Sequence, residues 1–161
     1  MAAVEMEEFA RSRKMCVIMA EAHNEFEVVI PNETSEGQVV QARIVDLLEG
    51  LAYSSRDVFS IRLALEEALV NAIKHGNQMD PEKTVRICCT ATEDAVEVAI
   101  EDQGDGFDPG DLPDPTDDDH LDLPGGRGVM LIRSFMDTVD FNDKGNRITM
   151  RKRRSQPDDD S

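Results

Sequence analysis

The chain has 161 residues, 40% hydrophobic but only 4% aromatic, which is enough for a single domain with an aliphatic core. Its formal net charge of −17 excludes a general affinity for nucleic acid, because lysine and arginine supply that affinity by neutralising phosphates. The three cysteines do not have the spacing of a zinc site, the chain starts with acidic residues, and no apolar run is long enough to span a membrane. These features predict a cytoplasmic protein.

The first part of the chain predicts an arm, a strand and a helix. Residues 1–25 show no sustained periodicity of apolar residues, so we expect a terminal arm there. Residues 26–30 have the character of a strand, which Pro31 ends. Ser35 and Gln38 have the spacing of a capping box and predict the start of a helix. Its apolar residues recur at helical spacing: Val40, Ile44, Leu47, Leu48 and Leu51.

The middle of the chain predicts a long helix and a β-hairpin. The helix is expected over residues 57–75, with Gly76 as its stop. Residues 84–90 and 95–101 then alternate between apolar and polar, which predicts two strands joined through residues 92–94. The residues expected on the buried face of the hairpin are Val85, Ile87, Cys89, Val96, Val98 and Ile100.

The remainder predicts a long loop followed by a short helix and two strands. Residues 102–128 are rich in glycine, proline and aspartate, and long loops of this kind tend to be lids or binding loops. A helix is expected over 129–136, strands over 138–141 and 147–151, and a disordered acidic tail over 154–161. The order predicts an α+β fold: a two-layer sandwich whose mixed or antiparallel sheet carries helices on one face.

The long helix also has a polar side. Glu67, Asn71 and Lys74 lie roughly opposite its apolar stripe, and the first two are one turn apart. A carboxylate beside an amide oxygen could hold Mg²⁺ and orient an attacking hydroxyl. The plainer interpretation is a solvated face that carries surface charges and one tolerated asparagine.

A second polar segment directly follows the predicted strand 95–101. Asp102 could accept a hydrogen bond from an exocyclic amino group, while Gly104 and Gly106 would let the backbone approach a flat ligand closely. A turn rich in Asp and Gly explains the same residues. A calcium loop of the EF-hand type fits poorly, because Gly104 occupies its third ligand position.

The third segment is glycine-rich and leads into the short helix. Gly126 and Gly128 would leave backbone N–H groups free at the positive end of that helix, and Arg127 adds a cation, which together suit a phosphate. A flexible loop before a helix is the alternative. The segment has neither the Lys-Ser/Thr of a Walker A motif nor the preceding strand of a Rossmann fingerprint.

Together the three segments resemble the GHKL ATPase superfamily. Residues 66–76 resemble its N box, residues 102–106 its G1 box and residues 126–128 its G2 box. The resemblance covers about residues 26–153 and is strongest to the anti-sigma-factor serine/threonine kinases. It implies a Bergerat-type ATP-binding fold.

The resemblance also implies a role for each motif residue, together with ATP and Mg²⁺ as cofactors. The implied partners are an antagonist protein and a sigma factor; a homodimer stays open, and no contact with nucleic acid or membrane is expected. The implied roles are a general base at Glu67, a Mg²⁺ ligand at Asn71, adenine recognition by Asp102, a base pocket at Gly104 and Gly106, an ATP lid over 108–124, a γ-phosphate contact at Arg127 and a phosphate cradle at Gly126 and Gly128.

Two features depart from the family pattern. Members often carry Thr just after the glycine of the last hairpin, where this chain has Asn146 after Gly145, and the lid is unusually acidic. Negative charge near a triphosphate repels it unless Mg²⁺ or a partner compensates. A protein-binding module that uses nucleotide only to set its shape is therefore a second hypothesis, and an acidic calcium-binding domain a third.

Overall fold

The computed structural model describes residues 24–106 and 126–156, so the predicted lid and almost all of the predicted arm lie outside the described residues. Within the described part, five strands form one sheet in the order β1-β2-β3-β5-β4. All four pairings are antiparallel, which settles the choice between a mixed and an antiparallel sheet. The strands are β1 (Asn24–Pro31), β2 (Thr84–Ala91), β3 (Ala95–Glu101), β4 (Thr138–Phe141) and β5 (Arg147–Arg153).

One face of the sheet is buried and the other is mostly polar, as the alternation of side chains requires. The six hairpin residues predicted to point inward are all buried, which confirms the predicted faces. Adjacent Cys88 and Cys89 point to opposite faces, and only Cys89 is buried. The outer face carries charged pairs such as Arg86 with Glu27. The helices of the described part therefore lie on one side of the sheet.

Three helices pack on the buried face: α1 (Thr34–Gly50), α2 (Ser55–Val70) and α3 (Gly126–Phe135). Each presents its apolar stripe to the sheet, and the most deeply buried residues include Ile44 and Leu48 of α1, Ile61 and Leu65 of α2, and Ile132 of α3. This two-layer α+β arrangement is the fold class that the element order predicts. Among the described residues, no helix has the length and apolarity that a bilayer crossing demands.

The predicted capping box at the start of α1 is wrong. The helix begins at Thr34 with Glu33 as its N-cap, and no side chain caps it. The carbonyl of Glu33 accepts hydrogen bonds from the N–H groups of Glu36 and Gly37. Because the Glu33 amide is held by the carbonyl of Pro31 directly after β1, the helix starts before Ser35 can act as its cap.

The long helix begins earlier and ends differently from the prediction. Ser54 is its N-cap, with its hydroxyl accepting a hydrogen bond from the N–H of Asp57. After Val70 the chain continues as a π-helical turn over Asn71–Gly76, which closes when the N–H of Asn77 donates to the carbonyl of Ala72. Such turns are frequent at functional sites. Gly76 ends the helix, as predicted.

The start of the predicted tail is fixed against α2, so a disordered tail from residue 154 onward is wrong for its first residues. Asp57 is only 1% exposed, and its carboxylate accepts hydrogen bonds from the N–H and hydroxyl of Ser155 at 2.8 and 2.6 Å. Arg154 donates to the carbonyl of Leu51. A buried carboxylate needs such partners, and here they come from the end of β5. Residues 157–161 lie outside the described part.

Tyr53, in the turn between α1 and α2, gives a direct test of how that turn packs on the loop between β2 and β3. Its buried hydroxyl donates to the carbonyl of Thr92 at 2.8 Å, and burial raises its pKa to about 12. With a raised folded-state pKa, the stability that Tyr53 contributes is complete below about pH 10 and is lost as the pH rises through about 12.

The chain has one tyrosine and no tryptophan, so phenolate absorbance reports Tyr53 alone. We expect the Tyr53 hydroxyl of the folded protein to stay un-ionised at about pH 10, where free tyrosine is half ionised. Tyr53→Phe should lower the free energy of unfolding by about 1 kcal/mol. Ionisation with a midpoint near the free value would contradict the buried hydrogen bond.

Candidate functional site

The first part of the site lies at the C-terminal end of α2. Glu67 is in the last turn of the α-helix and is half-buried, and Asn71 is the first residue of the π turn. Ala68 and Leu69 between them point into the core, which fixes the direction of the helix. The carboxylate and the amide are therefore carried by a rigid element rather than by a loop.

Helix α3 brings the third sequence segment against this pair. A methyl group on the buried Gly128 would lie 2.9 Å from Asn71 Nδ2, 3.1 Å from Asn71 Oδ1 and 3.2 Å from Glu67 Oε1. A larger residue at position 128 would displace the ends of both side chains, so glycine allows this close approach. The N-terminus of α3, Glu67 and Asn71 thus meet at one place.

The sequence predicts that the glycine-rich segment is a loop before the helix, but it forms the first turn of the helix. Helix α3 begins at Gly126, three residues earlier than expected, so Gly128 lies inside it. The first backbone N–H groups of a helix have no partner within it, and they lie at its positive end. The side chain of Arg127 is outside the described part of the structure, and its predicted phosphate contact stays a prediction.

The structure separates Lys74 from the other two polar residues of the helix. Lys74 lines a cleft of ≈ 690 Å³ between α1 and α2, together with Glu66 and Val70. The π turn has more residues per turn than an α-helix, so residues after Asn71 no longer follow the predicted face. Lys74 thus belongs to the α1–α2 side of the helix, whereas Glu67 and Asn71 face α3.

The second segment is locked against the end of the π turn. A methyl group on Gly76 would lie 2.1 Å from Asp102 Oδ2, and one on Gly104 would lie 1.9 Å from the carbonyl oxygen of Gly76. Only glycine allows these approaches at both positions. Asp102 therefore lies at the end of β3 and against the helix that carries Glu67 and Asn71.

Asp102 is half-buried and keeps a structured carboxylate. Its Oδ1 accepts a hydrogen bond from the N–H of Gly104 at 2.8 Å, and burial raises its pKa above the ordinary value of 3.8. The Gly104 N–H and Lys83 act in the opposite direction. A carboxylate in this setting can accept a further hydrogen bond from an amino group of a ligand.

Gly106 extends this close backbone packing toward the last hairpin. Its φ of +77° is in the left-handed region, and a methyl group on it would lie 2.0 Å from the carbonyl oxygen of Lys144. The loop after β3 thus packs on the turn between β4 and β5. Gly104 and Gly106 both allow close backbone packing, but the packing partners are backbone groups of this chain.

Four asparagines support the site. Sequence reasoning noted Asn146 only as a departure from the family pattern and missed the other three. Asn77 and Asn32 are 0% and 5% exposed and are hydrogen-bonded to one another. Asn146 donates to the carbonyl of Asp102, and Asn142 donates to the side chain of Asn146. A single sequence does not distinguish a buried asparagine from an exposed one. The available signal was the position of Asn77 and Asn146 directly after the glycines that end the π turn and the last hairpin.

A metal ion bound only by protein groups is not supported in the described residues, which contain no cluster of three or more His, Cys, Asp or Glu side chains suited to one. Magnesium is usually held by one or two protein oxygens together with substrate phosphates and water. The amide oxygen of Asn71 beside the N-terminus of α3 fits that kind of site.

We expect Gly104→Ala to disrupt the site. The added methyl group meets the carbonyl of Gly76, so the loop has to move, at a cost of about 1–3 kcal/mol of stability and about a tenfold loss of nucleotide affinity. Gly50→Ala is the matched control, since nothing lies within 4 Å of its added methyl group. Chemical denaturation and nucleotide titration measure the two effects. Equal behaviour of the two variants would contradict the packing described here.

The fold is an antiparallel sheet covered by paired helices, and the end of α2, the Asp102 loop and the N-terminus of α3 meet beside it. This arrangement defines a two-layer domain of the GHKL type. The chain belongs to the histidine kinase-like ATPase domain family, which it matches over residues 30–152.

Curated relatives and one solved structure are consistent with this family. The chain is 28% identical over 143 residues to the serine-protein kinase RsbW of Bacillus licheniformis, covering 83% of this chain and 88% of that protein. It is 31% identical over 104 residues to the anti-sigma F factor of Clostridium perfringens, covering 60% of this chain and 73% of that protein. The structure of the RsbU and RsbW domains of Rv1364c from Mycobacterium tuberculosis superposes with a TM-score of 0.55 at 13% identity, over 81% of this chain and 32% of that one. This last similarity concerns the fold.

Proposed function

We propose that the protein is an ATP-dependent serine/threonine protein kinase that acts as an anti-sigma factor. In this proposal it transfers the γ-phosphoryl group of ATP to a serine or threonine of an antagonist protein, and it sequesters a sigma factor. The family membership and the names of the relatives support this function. The carrying observation is the contact geometry of Gly128, which places a helix N-terminus beside both Glu67 and Asn71.

The described residues fit a magnesium–nucleotide complex. Glycine at position 128 lets the first turn of α3 approach the side chains of Glu67 and Asn71 closely, which brings helix N–H groups beside a carboxylate and an amide oxygen. Asp102 offers a half-buried carboxylate to the base, next to Gly76 at the end of the π turn. When bound, Mg²⁺ would neutralise phosphate charge.

The chain's own groups then have distinct tasks. Glu67 accepts the proton of the attacking serine or threonine hydroxyl, because its carboxylate faces the phosphate end of the site. Asn71 offers its amide oxygen to the metal, and the N–H groups at the start of α3 donate to phosphate oxygens. Catalysis in this scheme is positioning and charge stabilisation, which is the general pattern of phosphoryl transfer.

Asp102 in this proposal recognises adenine. Its carboxylate accepts from the exocyclic amino group. Gly76 and Gly104 let the helix end and the loop pack directly against Asp102, which holds this carboxylate in place. The position of Asp102 at the end of β3 separates base recognition from the phosphate end at Gly128. The two ends of the site are then joined by the π turn.

The proposal is tested in two stages with the full chain. A fluorescent adenine nucleotide, titrated with and without Mg²⁺, should bind in a saturable way and be displaced by ATP. ATP labelled at the γ-phosphate should then transfer label to a serine or threonine of an antagonist-type protein from the same organism. Binding without transfer to any such protein would favour a nucleotide-responsive binding module, and absence of binding would overturn the proposed function altogether.

A further inference from the structure

Asp102 is held from one side by Asn146 at the last hairpin. The N–H of Asp102 donates to the carbonyl of Asn146 at 2.9 Å, and the side-chain amide of Asn146 donates back to the carbonyl of Asp102 at 2.8 Å. Asn142 fixes the orientation of Asn146 by donating to its Oδ1 at 2.8 Å. The side chain of Asn146 is thereby engaged with the backbone of the residue proposed to bind the base.

The other side is held by Asn77, through the residue that follows Asp102. The N–H of Gln103 donates to Asn77 Oδ1 at 2.8 Å. Asn77 Nδ2 donates to Asn32 Oδ1 at 3.0 Å and to the carbonyl of Thr84 at 2.9 Å. One side chain therefore joins the end of β1, the start of β2 and the loop after β3.

Asn77 is also part of the π turn, because its own N–H closes that turn on Ala72. The residue thus fixes the distance between the helix end that bears Asn71 and the loop that bears Asp102. It is 0% exposed, so its own side-chain atoms lie away from competing water. A buried amide with these partners keeps its position only if all the segments keep theirs.

We propose that Asn77 and Asn146 are positioning residues that set the Asp102 carboxylate for an amino group on the base, and so determine the preference for an amino-purine nucleotide. The inference rests on the proposed function. Neither side chain needs to touch the nucleotide. Each acts through the backbone on one side of Asp102, and loss of either lets the carboxylate shift relative to the base while the phosphate end at Gly128 stays in place.

The test compares ADP with IDP, which carries an oxo group in place of the exocyclic amino group. Displacement of a fluorescent nucleotide gives a Kd for each, and the ratio of the two reports recognition at that group. Wild type should prefer ADP by about tenfold or more, which is the usual size of one well-placed hydrogen bond to a charged group. Asn77→Ala and Asn146→Ala should each lower the ratio by about threefold or more, mainly by weakening ADP.

Two further variants separate positioning from stability. Tyr53→Phe removes a hydrogen bond to the carbonyl of Thr92, which lies in the loop between β2 and β3, and should leave the ratio unchanged. Asn146→Ser keeps a short hydroxyl donor and should retain more of the preference than Asn146→Ala. If Asn77→Ala does not fold, the Asn146 pair decides alone.

The outcomes distinguish this inference from the proposed function. A wild type that binds neither nucleotide overturns both. A wild type that binds ADP and IDP equally leaves the fold and phosphate site intact but overturns the inference. The inference is also overturned if wild type clearly prefers ADP and the folded asparagine variants keep that preference, while only their free energy of unfolding falls.

Discussion

Replacing Glu67 with glutamine is expected to reduce phosphoryl transfer about 100- to 10,000-fold, the usual contribution of a positioned general base. Glutamine has the shape of glutamate, so the contact with Gly128 is kept, but its amide cannot accept the proton of the attacking hydroxyl. Nucleotide affinity should stay within about threefold of wild type, because the expected loss is in the transition state alone. Single-turnover transfer of labelled phosphate and a separate nucleotide titration measure the two quantities.

The neighbouring residue provides the matched control. Glu66 is exposed and lines the cleft between α1 and α2, away from α3, so Glu66→Gln removes the same charge from the same helix without reaching the site. We expect its transfer rate to stay within about twofold of wild type. If the two variants lose activity equally, the effect comes from the net charge of the helix, and Glu67 is not the base.

The sequence predicts most of the fold because its apolar periods are strong. The alternation in β2 and β3 and the stripe containing Ile61 and Leu65 are tied to burial, which is a property of each residue and its near neighbours. The starts of helices are less well determined. Ser35 has the right spacing for a cap, but the chain direction set by Pro31 at the end of β1 starts the helix earlier.

The sequence predicts the motifs of the site but not the hydrogen bonds and packing contacts that hold them together. Glu67, Asn71 and Gly128 are separated by up to 61 positions in sequence, and only the packing of α2 on α3 shows that they meet. The π turn could not be predicted from periodicity, since a single wider turn changes the register after Asn71 without changing composition. The buried bonds of Asn77 depend on four separate segments of chain, which no local pattern contains.

Asp102→Asn is expected to weaken nucleotide binding about 10- to 100-fold without weakening the fold. In the variant, Oδ1 can still accept from Gly104, but an amide N–H replaces the second oxygen and would face the amino group of the base, donor against donor. The stability of the fold should change in the opposite direction. Burial raises the pKa of Asp102, so the folded state disfavours the ionised carboxylate relative to the unfolded chain.

The sign of the pH dependence follows from that shift. A raised folded-state pKa means that the stability associated with the protonated form is complete below the ordinary value of 3.8 and is lost as the pH rises through the folded value. At neutral pH the carboxylate therefore makes a net unfavourable contribution, which the neutral amide removes. We expect the Tm of Asp102→Asn to equal or exceed that of wild type, with a smaller difference at about pH 4 than at about pH 7.

Asp105→Asn is the control, because this exposed neighbour carries the same charge in the same loop. It should leave nucleotide affinity unchanged. A fall in Tm for Asp102→Asn together with unchanged nucleotide binding would mean that Asp102 serves the fold and not the base. The opposite pattern, lost binding in a domain that is as stable or more so, is what a carboxylate kept partly buried for a ligand should give.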